Sequence, residues 1–180
     1  MTPRWELRPL DPELTARYEN DGWWGDETLG SIMAESLAAA PDVAVHVHSH
    51  THAWHGTFGA VDDEARRLVS VLQAEGIKPG SVVAFQMPNW REAVVAFAAL
   101  TMGGYVLVPI VHIYGAKEVG FILREAGVDA YLSPAAFGHV DYASIIDTDP
   151  AGVRLHLIVG GGGRPAPPGV RRIGWEAVDA

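Results

Sequence analysis

Apolar positions recur at helical spacing from Thr28 to Ala40, where Leu29, Ile32, Met33, Leu37 and Ala40 share a face and Pro41 ends the pattern, which predicts a first helix. The period then drops to two. VAVHVH, residues 43–48, alternates like a half-buried strand, and AWHGTF after it predicts a strand pairing back as a hairpin. A longer helix is predicted from Thr57 as N-cap, with Phe58, Val61, Ala65, Leu68, Val69 and Leu72 inward, Gly76 as its stop, and Glu64, Arg66, Arg67 and Gln73 on the wet side.

The middle of the chain reads as strand, helix, strand, and then repeats. VVAFQM (82–87) and YVLVP (105–109) are continuous apolar strands around an apolar helix at 91–102 that should be buried all round. A helix over Lys117–Ala126, capped by Gly127, leads to a third strand, DAYL, from Asp129. A weaker helix near 139–147 and the strand LHLIV (155–159) extend the series. Short connections between such units predict an α/β fold, a mainly parallel sheet with helices on both faces. Residues 1–28 carry Pro3, Pro9, Pro12 and the pair Trp23 and Trp24, which predicts an extended arm packed by side chains in front of an α/β domain at 29–180.

Composition narrows the function classes. With 180 residues, 48% of them hydrophobic, the chain can bury a core of ordinary domain size. A net charge of -9 argues against a nucleic-acid surface, because phosphate contacts are carried by Lys and Arg. No cysteine is present, so disulfides and thiolate metal sites are excluded, which fits a cytoplasmic setting. No apolar run of 18 residues and no signal-peptide pattern occurs.

Familiar catalytic motifs are absent. GGGG at 160–163 follows a strand, but RPAPPG after it cannot open the helix that a dinucleotide site needs, so a loop is expected. There is no G-x-x-x-x-G-K-[ST], no G-x-S-x-G and no H-E-x-x-H, and the only lysines are Lys78 and Lys117. Asn89 and Glu92 flank the start of the apolar helix as a capping box would. The loop Val111–Gly115 should lie at the carboxyl end of a parallel strand, where open α/β sheets place ligands, so His112 and Tyr114 are candidates to line a pocket.

Five histidines crowd the hairpin. In an extended segment His46, His48, His50 and His52 point to one face, and imidazoles so spaced suit Zn²⁺, Ni²⁺ or Cu²⁺. Same-face residues of one strand sit about 6.5 to 7 Å apart and no carboxylate lies among them, so an exposed hairpin that picks up stray metal is the plainer reading.

Glu75–Leu132 resembles the early region of the adenylate-forming superfamily, which comprises AMP-forming acyl-CoA synthetases, aryl-acid ligases and related enzymes. The landmarks stand in order: Gly76 to Gly80, the strand ending in Pro88 and Asn89, the alanine-rich helix, Gly103 and Gly104, the strand ending at Pro109, and Glu118 in the next helix. YENDGWWGDETL, residues 18–29, is similar to the opening of the aryl-acid and the cyclic or medium-chain acid ligases. The resemblance implies activation of a carboxylic acid with ATP and Mg²⁺ to an acyl adenylate, followed by transfer to CoA. It also implies a Ser/Thr/Gly-rich phosphate loop with a lysine, later acidic motifs, and a lysine on a mobile carboxyl-terminal domain. None of these occurs in the 180 residues, so the resemblance leaves no catalytic or cofactor-binding residue to name and implies an amino-terminal portion inactive alone. Two other classes stay open: a freestanding interaction domain with the same fold, and a metal-binding protein using the histidine run. A homodimer is compatible with each.

Overall fold

The computed structural model describes residues 9–161 and 163–180, and the first eight residues of the arm, Pro3 among them, lie outside it. The arm is not wholly extended. Asp11 accepts from the amides of Glu13 and Leu14 and Pro12 fills the first helical position, so helix α1 forms over Pro12–Asn20. Tyr18 then stacks on Trp23 and meets Trp24 edge-on, giving the aromatic pair a local partner.

Thr28 and Ser31 cap α2 (Leu29–Ala39) reciprocally. Strands β1 (Ala44–Val47) and β2 (Trp54–Thr57) pair antiparallel as the hairpin, and Thr57 caps α3 (Phe58–Ala74). Next come β3 (Val82–Phe85), α4 (Arg91–Met102), β4 (Val106–Pro109), α5 (Ala116–Ala126) and β5 (Ala130–Pro134). A two-residue ribbon, β6 (Ala136–Phe137) with β7 (Val140–Asp141), leads into α6 (Tyr142–Thr148). The chain continues through β8 (Leu155–Val159), β9 (Arg171–Gly174) and α7 (Glu176–Asp179).

Five strands form one parallel sheet in the order β4-β3-β5-β8-β9. Period-two geometry divides it into two interiors. On one face Val83, Phe85, Ala130, Leu132, Leu155 and Leu157 join α2, α3, α4 and α7. On the other, Val82, Ala84 and Tyr131 join α5 and α6. The α/β expectation therefore holds, with helices on both faces. Gly127 adopts φ 59°, the left-handed conformation that an L side chain disfavours, and ends α5 where the pattern placed its stop.

Four local expectations fail for physical reasons. Trp90, not Asn89, is the N-cap of α4, and no side chain caps it, because Glu92 is drawn into a tertiary contact instead of back to the backbone. Glu64 is buried, since the end of the chain folds over that side of α3. Strand β4 is as apolar as its neighbours yet forms the edge of the sheet, with Val106 39% exposed. Helix α4 is not buried all round, because Val94 and Phe97 face an open groove.

Candidate functional site

The turn from β3 into α4 lies at the carboxyl edge of the parallel sheet, the side where such sheets position ligands. Four rings line up there. His52, at the hairpin tip, stacks on Trp90 at 4.2 Å between centroids; Phe137 meets Trp90 edge-on at 5.5 Å and His112 at 6.0 Å.

Beneath this row is a buried polar network. Glu92, 2% exposed, accepts from His52 Nε2 at 2.9 Å and 3.1 Å, which places the imidazole proton on that nitrogen. A carboxylate in the first turn of α4 also meets the positive end of the helix dipole. Arg91 reaches Glu64 at 3.4 Å, Glu92 at 3.5 Å and Asp179 at 3.4 Å. Trp175 Nε1 donates to Glu64 at 2.9 Å. Burial raises the Glu64 carboxyl above its ordinary value, and the Trp175 hydrogen bond and the Arg91 charge pull against that rise. The network joins the hairpin, α3, α4 and the end of the chain.

The loop after β4 is held by its backbone. Gln86, fully buried, donates from Nε2 to the carbonyls of Val111 and Tyr114 and accepts from the Tyr131 hydroxyl. Tyr142 donates to the carbonyl of His112 at 2.7 Å. Tyr114 is thereby left exposed at the carboxyl edge and His112 half-buried against Phe137. Neither side chain lines the apolar groove on the other face of the sheet. That groove, of about 790 Å³, runs between the hairpin and α4 and is lined by Leu37, Val45, Phe58, Val94 and Phe97, with Asn89, His46 and His48 among its few polar groups.

One pairing imitates a nucleophile and its base. Ser133 Oγ lies 2.8 Å from His156 Nε2, both fully buried. Arg172 donates to His156 Nδ1 at 3.2 Å, so the imidazole proton is on Nε2 and already points at the serine. His156 therefore cannot take the serine proton. Burial, with Arg172 beside it, pushes the imidazole down to about 3, and Asp147 binds Arg172 at 2.7 Å. The arrangement is structural.

The histidine run divides. His52 goes to Glu92, His50 is exposed, and His46 faces His55 across the hairpin with their Nδ1 atoms 2.5 Å apart. His48 is the nearest further ring, 6.3 Å from His46 and 6.5 Å from His55. The run therefore does not converge, and among the described residues no group of three or more His, Cys, Asp and Glu side chains is placed to hold a metal ion.

Sequence reasoning missed Gln86, Trp90, Phe137, His156 and the true partner of Glu92. Gln86 and His156 carried a signal, a polar residue inside an otherwise apolar strand. Trp90 and Phe137 carried none, because their meeting depends on the β6–β7 ribbon.

A five-stranded parallel sheet with helices on both faces sets the chain in the α/β class, which places ligands at the carboxyl edge where it binds them. The chain belongs to the AMP-binding enzyme family, whose model matches residues 33–168. Medium-chain fatty-acid–CoA ligase of Escherichia coli is 30% identical over 128 residues, covering 71% of this chain and 22% of that protein. 2,3-Dihydroxybenzoate-AMP ligase of Bacillus subtilis is 28% identical over 137 residues, covering 76% of this chain and 25% of that one. The apo structure of MbtA from Mycobacterium smegmatis superimposes with a TM-score of 0.76 at 23% identity, over 96% of this chain and 30% of that chain. The chain thus spans about a quarter of the length of the curated relatives it matches. Among the described residues no helix is long and apolar enough to cross a membrane.

Proposed function

We propose that this chain is the amino-terminal portion of a cytoplasmic acid-activating ligase, which joins a fatty or aryl carboxylic acid to ATP and passes the acyl group to CoA. The observation that carries this reading is the family match over residues 33–168 together with relatives that act on both kinds of acid. In the adenylation step the acid carboxylate displaces pyrophosphate from ATP; in the second step the CoA thiol displaces AMP. Mg²⁺ supplies positive charge to the phosphates in such chemistry.

The part played by these 180 residues is a scaffold and one edge of a site. The Gln86 anchor presents the loop of His112 and Tyr114 at the carboxyl end of β4, and this supports assigning those two side chains to the lining of a substrate pocket. No phosphate-binding lysine motif lies in the sequence, which supports placing the nucleotide machinery outside it.

The test is ATP binding by calorimetry with Mg²⁺, alongside pyrophosphate release with a panel of aliphatic and aryl acids. The 180-residue chain is expected to be silent in both assays, and a longer product of the same gene to release pyrophosphate with at least one acid. Turnover by the 180 residues alone would overturn the division of labour, and a longer product inert toward every acid would overturn the reaction.

A further inference from the structure

The hairpin brings together two imidazoles that the sequence keeps nine residues apart. His46 and His55 are direct register partners of β1 and β2, both exposed, and their Nδ1 atoms face each other at 2.5 Å. Two ring nitrogens aimed at one another cannot both carry protons, so one donates and the other offers its lone pair. The same approach of two lone pairs is what a cation with imidazole preference exploits. Divergence of the two nitrogens by under an ångström places both at the roughly 2.0 to 2.1 Å bond length of a Zn–imidazole pair.

We propose that His46 and His55 form a cross-strand chelate for a late first-row divalent cation, Zn²⁺, Ni²⁺ or Cu²⁺, with solvent completing the coordination. His48, whose ring centre lies 6.3 and 6.5 Å from the other two, is the nearest further imidazole and stands outside the pair. This pairing differs from the alternating set suggested by the run of histidines along one strand. The ligands come from opposite strands, so the strand spacing that hinders neighbours on a single strand does not apply. His52 is excluded because its Nε2 is engaged by the buried Glu92 and its ring is stacked on Trp90. The ligand class follows from the donors: neutral imidazoles suit zinc, nickel and copper, whereas Mg²⁺ and Ca²⁺ favour carboxylates, and residues 44–57 carry no Asp or Glu.

Chelation also has a mechanical consequence. Val45 and Val47 form one wall of the apolar groove, and a cation spanning β1 and β2 ties that wall to its partner strand. Backbone opening of residues 44–57 should slow when the ion binds.

The deciding experiment titrates the untagged 180-residue chain with Zn²⁺, Ni²⁺ and Mg²⁺ by calorimetry. Nitrogen NMR of the imidazoles is recorded in parallel for the Zn²⁺ arm. The expected result is saturable binding of one Zn²⁺ or Ni²⁺ per chain and none of Mg²⁺, with both His46 and His55 moving to the form protonated at Nε2. Amide exchange over 44–57 should slow in the same samples. His46→Ala and His55→Ala should each weaken binding tenfold or more, His48→Ala less, and His50→Ala not at all. Binding that survives His46→Ala and His55→Ala, binding that tracks His50, or the absence of a saturable 1:1 event would each overturn the proposal. Since all the variants change exposed hairpin residues, retention of the wild-type circular dichroism and urea midpoint separates lost chelation from lost folding.

Discussion

The two faces of the sheet are built on different plans. The α5/α6 side is closed: Val119, Leu123, Ile146 and Tyr142 are fully buried against Val82, Ala84 and Tyr131. The α3/α4 side is thicker, with α2 laid over α3 and α4, yet it leaves a groove in which Val94 and Phe97 are 41% and 37% exposed. The difference shows that an apolar pattern states what a helix can bury, whereas the number of partners around it decides what is buried. Helix α5 buries the stripe of Val119 and Leu123 and leaves Phe121, 60% exposed, as a single apolar side chain outside it. Helix α4 is apolar on more sides than this chain covers.

Polar groups are also distributed differently. On the closed side they lie inside the sheet layer, as Gln86, Ser133 and His156, and each is bonded. On the groove side the strands are apolar and the charges gather at the start of α4, where Glu64, Arg91 and Glu92 meet His52 and Trp175. A buried carboxylate left unpaired would be costly, so the hairpin and the end of the chain are tied to α4 by the same groups.

A cavity on the closed face should have the largest effect. Leu123→Ala, at a fully buried position, should cost about 2 to 5 kcal/mol in urea unfolding. A loss comparable to that of an exposed substitution would show that this face is not the tightly packed one.

The next effect is a pH dependence. His156 is neutral in the folded chain down to about 3, whereas in the unfolded chain its imidazole takes a proton near the ordinary value of 6.5. Between those values the unfolded state binds the extra proton, so this residue removes about 1.4 kcal/mol of stability for each unit the pH falls, and nothing above 6.5. Urea midpoints of the wild type and of His156→Gln, followed from pH 7 to 4, check this, and parallel curves would refute it. Smallest is Phe97→Ala in the groove, expected to change stability by under about 0.5 kcal/mol, as for a surface site. A large loss would mean that the groove is closed in solution.

Much of the fold was legible because burial on one side imposes a short period. The boundaries of α4 and β8, the N-cap Thr57 and the Gly127 stop agree with the pattern, each fixed by residues within a turn of one another. Helix α1 was missed since three prolines outweighed the Asp11–Pro12 start, although proline is welcome in a first helical turn. The site was less legible. Topology puts the loop of His112 and Tyr114 after β4 at the carboxyl edge, but the Gln86 side chain that anchors it lies 25 residues from Val111 and 28 from Tyr114.

The run of strands and helices from α2 to β5, with β8, the Thr57 cap, the Gly127 stop and the parallel α/β class followed from the sequence alone, because these depend on local backbone chemistry and on a repeating apolar face. Tertiary structure alone decided which apolar strand became the edge, which face of α4 stayed open, and which partner each histidine took. His46 meets His55 and His52 meets Glu92, 9 and 40 residues away, and contacts across such separations arise only when packed elements bring the side chains together.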